Sequence, residues 1–300
     1  TIDLCAGGEY LWDGIKRDRL VWIGDIYPEM LALTTLYGRT EIIEKSLDFI
    51  KEATVLPAVM NDMPTYSMWW IIVLYDYYRI IGCKDFLDKQ IDYLEELVKV
   101  LNSNVGENGE LNYDVFVDWP TRGDKDEITG TRCFNLAAAE KAAKILKMYG
   151  KKTEYACEMI GKLKMGSFSI ESKKQVIGLK YYALGEISDN EYDLLVKGGA
   201  AGLSTFMSYF ILTAIASKDK KLAVRIMKDY YGKMLALGAT TFWEDFDVSW
   251  AENAGRIDVF PVKGKADIHG DFGAFCYKGY RHSLCHGWSS GVIKFIEENC

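Results

Sequence analysis

The chain has 300 residues, 49% of them hydrophobic and 26% charged, with a formal net charge of −7. That is enough apolar material for one large core or two modest ones. The negative balance, with Lys interspersed among Glu and Asp, argues against nucleic acid as a partner, and no apolar run reaches the about 18–20 residues of a membrane span.

Only five prolines interrupt the chain and no block is Pro- or Ser-rich, so one domain over residues 1–300 is expected. Helical segments then arrive in pairs. Residues 24–38 are followed by 39–53, 65–82 by 84–102, 129–150 by 151–164, 172–185 by 188–199, and 204–218 by 219–238, with a last helix over 283–298. Gly closes several first members, and Asp or Ser opens several second members, as C-caps and N-caps should. In most pairs the first helix is apolar or aromatic nearly all round and the second carries charges on one side, the signature of inner and outer layers. The period is too irregular for a solenoid of fixed repeats. The pattern predicts an all-α, (α/α)6 barrel, with one helix of the double ring missing at the N-terminus. In that architecture the loops before the inner helices converge on one funnel, where function concentrates.

Those loops hold the polar and aromatic segments: residues 10–25, 61–70, 113–131, 198–206, 238–256 and 267–288. The first contains "DGIKRDRLVWIGD" (Asp13–Asp25), whose acids do not recur at helical spacing. The fifth contains "GATTFWEDFDVSW" (Gly238–Trp250). Two acids on separate loops suit glycosidic cleavage, which needs one carboxyl to protonate the leaving oxygen and another to act opposite it. By residue type alone, structural ion pairs explain such clusters as well. Asp25 also reads as an N-cap with Pro28 in the first turn. Trp22, Trp243 and Trp250 read equally as pocket walls or core. Asp245 and Asp247 are alternatives to Glu244 as a base.

"FVDWP" (Phe116–Pro120) offers a carboxylate beside an indole before a proline that disfavours helix. The three histidines, His269, His282 and His286, crowd the last loop, with His282 reading as structural. No HExxH or CxxC spacing accompanies them, so no metal is expected. Seven cysteines, odd in number and without a close pair, favour free thiols in a reducing, cytoplasmic compartment.

"DGIKRDRLVWIGD" and "GATTFWEDFD", with "FVDWP" and "RHSLCHGWSSG" (Arg281–Gly291) in the same order, resemble the α-L-rhamnosidases of glycoside hydrolase family 78. The resemblance spans residues 13–291. It implies an (α/α)6-barrel catalytic domain, normally flanked by β-sandwich domains, that hydrolyses terminal α-L-rhamnosides with inversion and without a cofactor. The chain is then expected to be a fragment of a longer protein. Position by position, the family's general acid falls on Asp18 and its general base on Glu244. Asp13, Asp25 and His286 fall on sugar-binding positions. Asp118 and Trp119 are expected to touch the sugar, Arg17 to orient a carboxylate, and Trp22, Trp243 and Trp250 to wall the pocket. The usual acid is Glu, so Asp18 is a departure, one methylene shorter. A non-catalytic carbohydrate-binding relative and a helical protein scaffold are the rival readings.

Overall fold

Residues 1–16, 18–272 and 282–300 are described by a computed structural model. Among them, eleven helices of eight residues or more follow one another as pairs. They are α1 (Ile23–Tyr37) with α2 (Glu41–Ala53), α3 (Pro64–Ile81) with α4 (Ile91–Ser103), and α5 (Asp126–Met148) with α6 (Glu154–Lys164). Then come α7 (Lys174–Leu184) with α8 (Asp189–Val196), α9 (Ser208–Ala216) with α10 (Lys220–Ala236), and α11 (Val292–Asn299). No strand occurs among the described residues, only isolated bridges, and no helix there is long and apolar enough to cross a membrane.

Sequence decides which helix goes inside. Every residue of α1 from Ile23 to Thr34 is buried, whereas α2 buries only Ile43, Ser46, Leu47 and Ile50, one face at a spacing of three and four. The six inner helices pack in order, α1 on α3, then α5, α7, α9 and α11, and α11 returns to α1. This closes the ring and makes the fold an (α/α)6 toroid. Its axis is filled by aromatic rings, with Tyr27 stacked on Phe210 at 5.4 Å and Trp69 against Phe134 at 4.3 Å. Within the same ring Asp76 accepts from Lys141 Nζ (2.5 Å), Tyr182 (2.6 Å) and Tyr27 (3.1 Å), tying four inner helices together.

The helix ends obey local chemistry. Gly82 and Gly185 close α3 and α7 in the left-handed conformation, at φ +77° and +76°. Ser188 and Glu191 form a capping box at α8, and Asp219 caps α10 through Leu222 N–H at 2.9 Å.

Two expectations change. The last helix starts at Val292 after a 3-10 turn over Gly287–Gly291, not at Ser283. The reason is that His286 N–H donates to Phe242 O and Gly287 N–H to Asp13 O, so this backbone is committed to other loops. Asp25 is not an N-cap: α1 begins at Ile23 after Trp22, and the Asp25 carboxylate bonds His286 instead. With eleven long helices among the described residues, the one outer place of the double ring left unfilled lies between α11 and α1.

Candidate active site

The segment before α1 is a loop closed on itself by Asp13. Its backbone N–H donates to Leu20 O (3.2 Å) and its Oδ1 accepts from Leu20 N–H (3.0 Å), so the described residues between them, 14–16 and 18–19, belong to a tongue closed at its base. Asn61, before α3, bonds both Val21 O and Ile23 N–H at 3.2 Å and anchors the base of that tongue. Gly14 bridges to His286, where an added Cβ would lie 2.9 Å from the imidazole Nδ1.

Glu244 is fixed from several sides. Its N–H donates to Ser283 O (2.9 Å) and its Oε2 accepts from Ser283 N–H (3.0 Å). Its carbonyl accepts from Thr205 Oγ1 (2.5 Å) and from the Trp288 indole (2.8 Å). The side chain therefore cannot swing freely, although it sits on a loop between α10 and α11.

These loops enclose a cleft of about 350 Å³. Asp13, Asp18, Asp25, Glu244 and His286 line it, with the ion-paired Asp114 and Arg122, and Trp22, Trp119 and Trp288 supply broad apolar walls. Such a mixture of apolar faces and a few convergent polar groups marks a small-molecule site. Five of the expected residues come from opposite ends of the sequence, yet they share this cavity with Trp22 and Trp119.

The acids shift one another. Burial pushes the Asp13 carboxyl up to about 6, and the charges of Asp25 and Asp18 add to it, against the pull of His286. Burial also raises Asp25, which is held at 3.1 Å by His286 Nε2. Burial alone would keep His286 neutral, but its bond to Asp25 and the charges of Glu244, Asp25 and Asp13 outweigh it and raise its pKa. The two directions compete for one proton. With three carboxylates around one imidazole, that proton belongs on His286.

Beneath this group lies Glu29, one helical turn after Asp25. It is wholly buried, neither oxygen has a hydrogen-bond partner among the described residues, and burial followed by the Asp25 and Asp13 charges raises its pKa well above the ordinary value. It is packed so closely that a Cβ on Gly287 would lie 1.5 Å from its Oε1. Gly287→Ala is therefore expected to lower the melting temperature by several degrees or to prevent folding. Adding Glu29→Ala should restore stability in part, because it removes the clashing atoms. A Gly287→Ala protein that melts like the parent would disprove the tight contact.

Not every expected residue reaches the cleft. Asp118 is buried, and its carboxylate accepts from Thr121 N–H, Thr121 Oγ1 and Ser204 Oγ at 3.1, 2.7 and 2.7 Å. Its acceptors serve the 3-10 turn Trp119–Thr121 and not a sugar, and burial lifts its pKa to about 6. Trp243 is fully buried core, edge-on to Phe246. Trp250 stacks on Phe272 at 4.6 Å and lines a different cavity, together with Asp245 and Asp247. Arg17 lies outside the described residues. His282 is buried with its pKa pushed down to about 4, and its Nε2 accepts from Asp245 N–H, a structural role. His269 bonds Lys16.

Sequence reasoning missed Met63, Tyr66, Asp114, Phe116, Arg122 and Trp288 as cleft residues. All lie in the loops singled out, and Phe116 and Trp288 lie within quoted motifs, but nothing in their types separates wall from core. Asp114 and Arg122 form an ion pair at 2.5 Å on the cleft wall.

Residues 8–158 match the family model of the bacterial α-L-rhamnosidase six-hairpin glycosidase domain. No curated protein matches the chain in sequence. Among solved structures, a rhamnosidase from Klebsiella oxytoca with rhamnose bound superposes with a TM-score of 0.71 at 18% identity, covering 99% of this chain and 63% of that one. A family 78 rhamnosidase of Bacillus sp. GL1 gives 0.74 at 18% identity, over 99% of this chain and 33% of that one. The α-L-rhamnosidase of Streptomyces avermitilis, complexed with L-rhamnose, gives 0.60 at 12% identity, over 98% and 30%. This chain thus spans less than two thirds of each of them.

Proposed function

The chain belongs to the bacterial α-L-rhamnosidase six-hairpin glycosidase family and is a glycoside hydrolase-like domain, and from that premise we propose that it is an inverting, exo-acting α-L-rhamnosidase. One observation carries the reading: Asp18 and Glu244, more than two hundred residues apart in sequence, line a single cleft with the candidate sugar-binding groups. Asp18, on the tongue, protonates the leaving oxygen. Glu244, held through one carboxylate oxygen by Ser283 N–H, takes the proton of a water that attacks the anomeric carbon from the far face. An inverting pair must stand roughly 6.5–9.5 Å apart to admit that water.

Asp13, Asp25 and His286 hold the sugar hydroxyls. The carboxylates accept, and the imidazolium, fixed by Asp25, donates. Trp22 and Trp119 cover the less polar faces of the ring. Residues 1–300 act as the catalytic domain. A panel of 4-nitrophenyl glycosides tests the reading. Release from the α-L-rhamnoside, with the β-anomer of rhamnose appearing first by NMR, is expected. Preference for another glycoside, or the α-anomer first, would overturn substrate or stereochemistry. Binding of L-rhamnose without release from any glycoside would point to the non-catalytic relative.

A further inference from the structure

Behind the wall that carries Trp119 and Glu244 lies a second cavity, of about 510 Å³, larger than the cleft. Neighbouring residues face opposite ways through that wall: Trp119 and Glu244 line the cleft, while Pro120 and Asp245 line the second cavity. Its other walls are the start of α7 (Lys173, Lys174, Gln175) and the segment after Asp245, ending at Ser249 and Trp250.

Two groups here are unusual. Lys174 is 7% exposed and donates to Gly199 O at 2.8 Å, but no carboxylate partners it among the described residues. Burial alone pulls its pKa down to about 8. Asp245 is 8% exposed, and only the Phe246 backbone N–H bonds its carboxyl among the described residues. Burial, followed by the charges of Asp118, Glu244 and Asp247, lifts that carboxyl to about 7. A buried acid and a buried base thus line one cavity without pairing, and each keeps hydrogen-bonding capacity in reserve. Each has one such bond already, and the capacity that remains faces the cavity, where a hydroxyl can take it up. Trp250 supplies an aromatic ring backed by Phe272.

An indole beside separate donors and acceptors is what a pyranose needs, with its apolar faces and its hydroxyl rim. Charge decides the class of sugar. Lys173 and Lys174 balance Asp245 and Asp247, so the site has no net attraction for a uronate or sulfate. From this juxtaposition of Lys174, Asp245 and Trp250 in one cavity against the cleft wall, we propose a second saccharide-binding site, for a neutral sugar unit of an oligosaccharide. The choice of rhamnose as probe rests on the function proposed above; the site itself does not.

The test uses an α-1,3-linked L-rhamnotriose and the full chain. Ser249→Arg, an exposed position at the cavity, fills it without disturbing the core, and Lys174→Met removes the buried donor at similar volume. Titration calorimetry, with both variants made in the Glu244→Gln background so that the trisaccharide is not cleaved, should show its affinity falling about tenfold, with unchanged melting temperature in Ser249→Arg. In kinetics, kcat/KM for the trisaccharide should fall by a similar factor while that for 4-nitrophenyl α-L-rhamnoside stays within twofold. Unchanged trisaccharide affinity in Ser249→Arg would overturn the site, as would equal losses on both substrates in a protein of normal stability. Tighter binding of a trisaccharide with a galacturonate unit would overturn its neutral specificity. If nothing is hydrolysed but trisaccharide binding still depends on Ser249 and Lys174, the proposed activity fails and the site stands.

Discussion

Glu244→Gln is expected to lower kcat by about 10²–10⁴-fold on every α-L-rhamnoside, whatever the leaving group. The amide is nearly isosteric and still offers an oxygen to Ser283 N–H, so the loop keeps its hydrogen bond. It cannot take a proton from water. Because water attacks as the aglycone departs, in one displacement, dinitrophenyl and alkyl rhamnosides should suffer alike. KM should change little, since sugar contacts through Asp13, Asp25 and His286 survive. A variant that keeps more than a tenth of its activity would move the base elsewhere. Asp245 is the sequence neighbour to test next, but it lines the other cavity.

Asp18→Asn should divide substrates by leaving group. Alkyl rhamnosides, whose leaving oxygen needs a proton, should lose about 10²–10⁴-fold in kcat. Dinitrophenyl rhamnosides, which depart as stable anions, should lose less than roughly tenfold, because the acid contributes little to their transition state. Equal losses on both would make Asp18 a binding or structural residue. Asp18→Glu addresses the departure from the family's usual acid. A carboxyl displaced by roughly an ångström can cost about a hundredfold, so a gain in Asp18→Glu shows a backbone still set for the longer acid. A loss shows a tongue, with Arg19 at φ +50°, already adjusted to the shorter one.

The barrel was legible in the sequence because its causes are local. Helical periodicity, capping Ser and Asp, terminal Gly and the contrast between the fully buried α1 and the one-faced α2 each act within a few turns. Chain order then fixed which helices are neighbours, and the loops flanking the inner helices pointed to the functional end. Motif order added the residues that share the cleft, Asp13, Asp18, Asp25, Glu244 and His286. What remained hidden depends on partners distant in the chain. Whether Asp118 faces a sugar or a turn is decided by Ser204, eighty-six positions away. Whether Trp250 walls the cleft or a second cavity is decided by which side of the 244–245 peptide the segment leaves. Asp25 reads as a cap until His286, from the far end of the chain, arrives at 3.1 Å. Burial itself is a tertiary quantity: Glu29 and Lys174 are ordinary charges in sequence, and only the folded chain buries them and shifts their pKa values, up for the acid and down for the base.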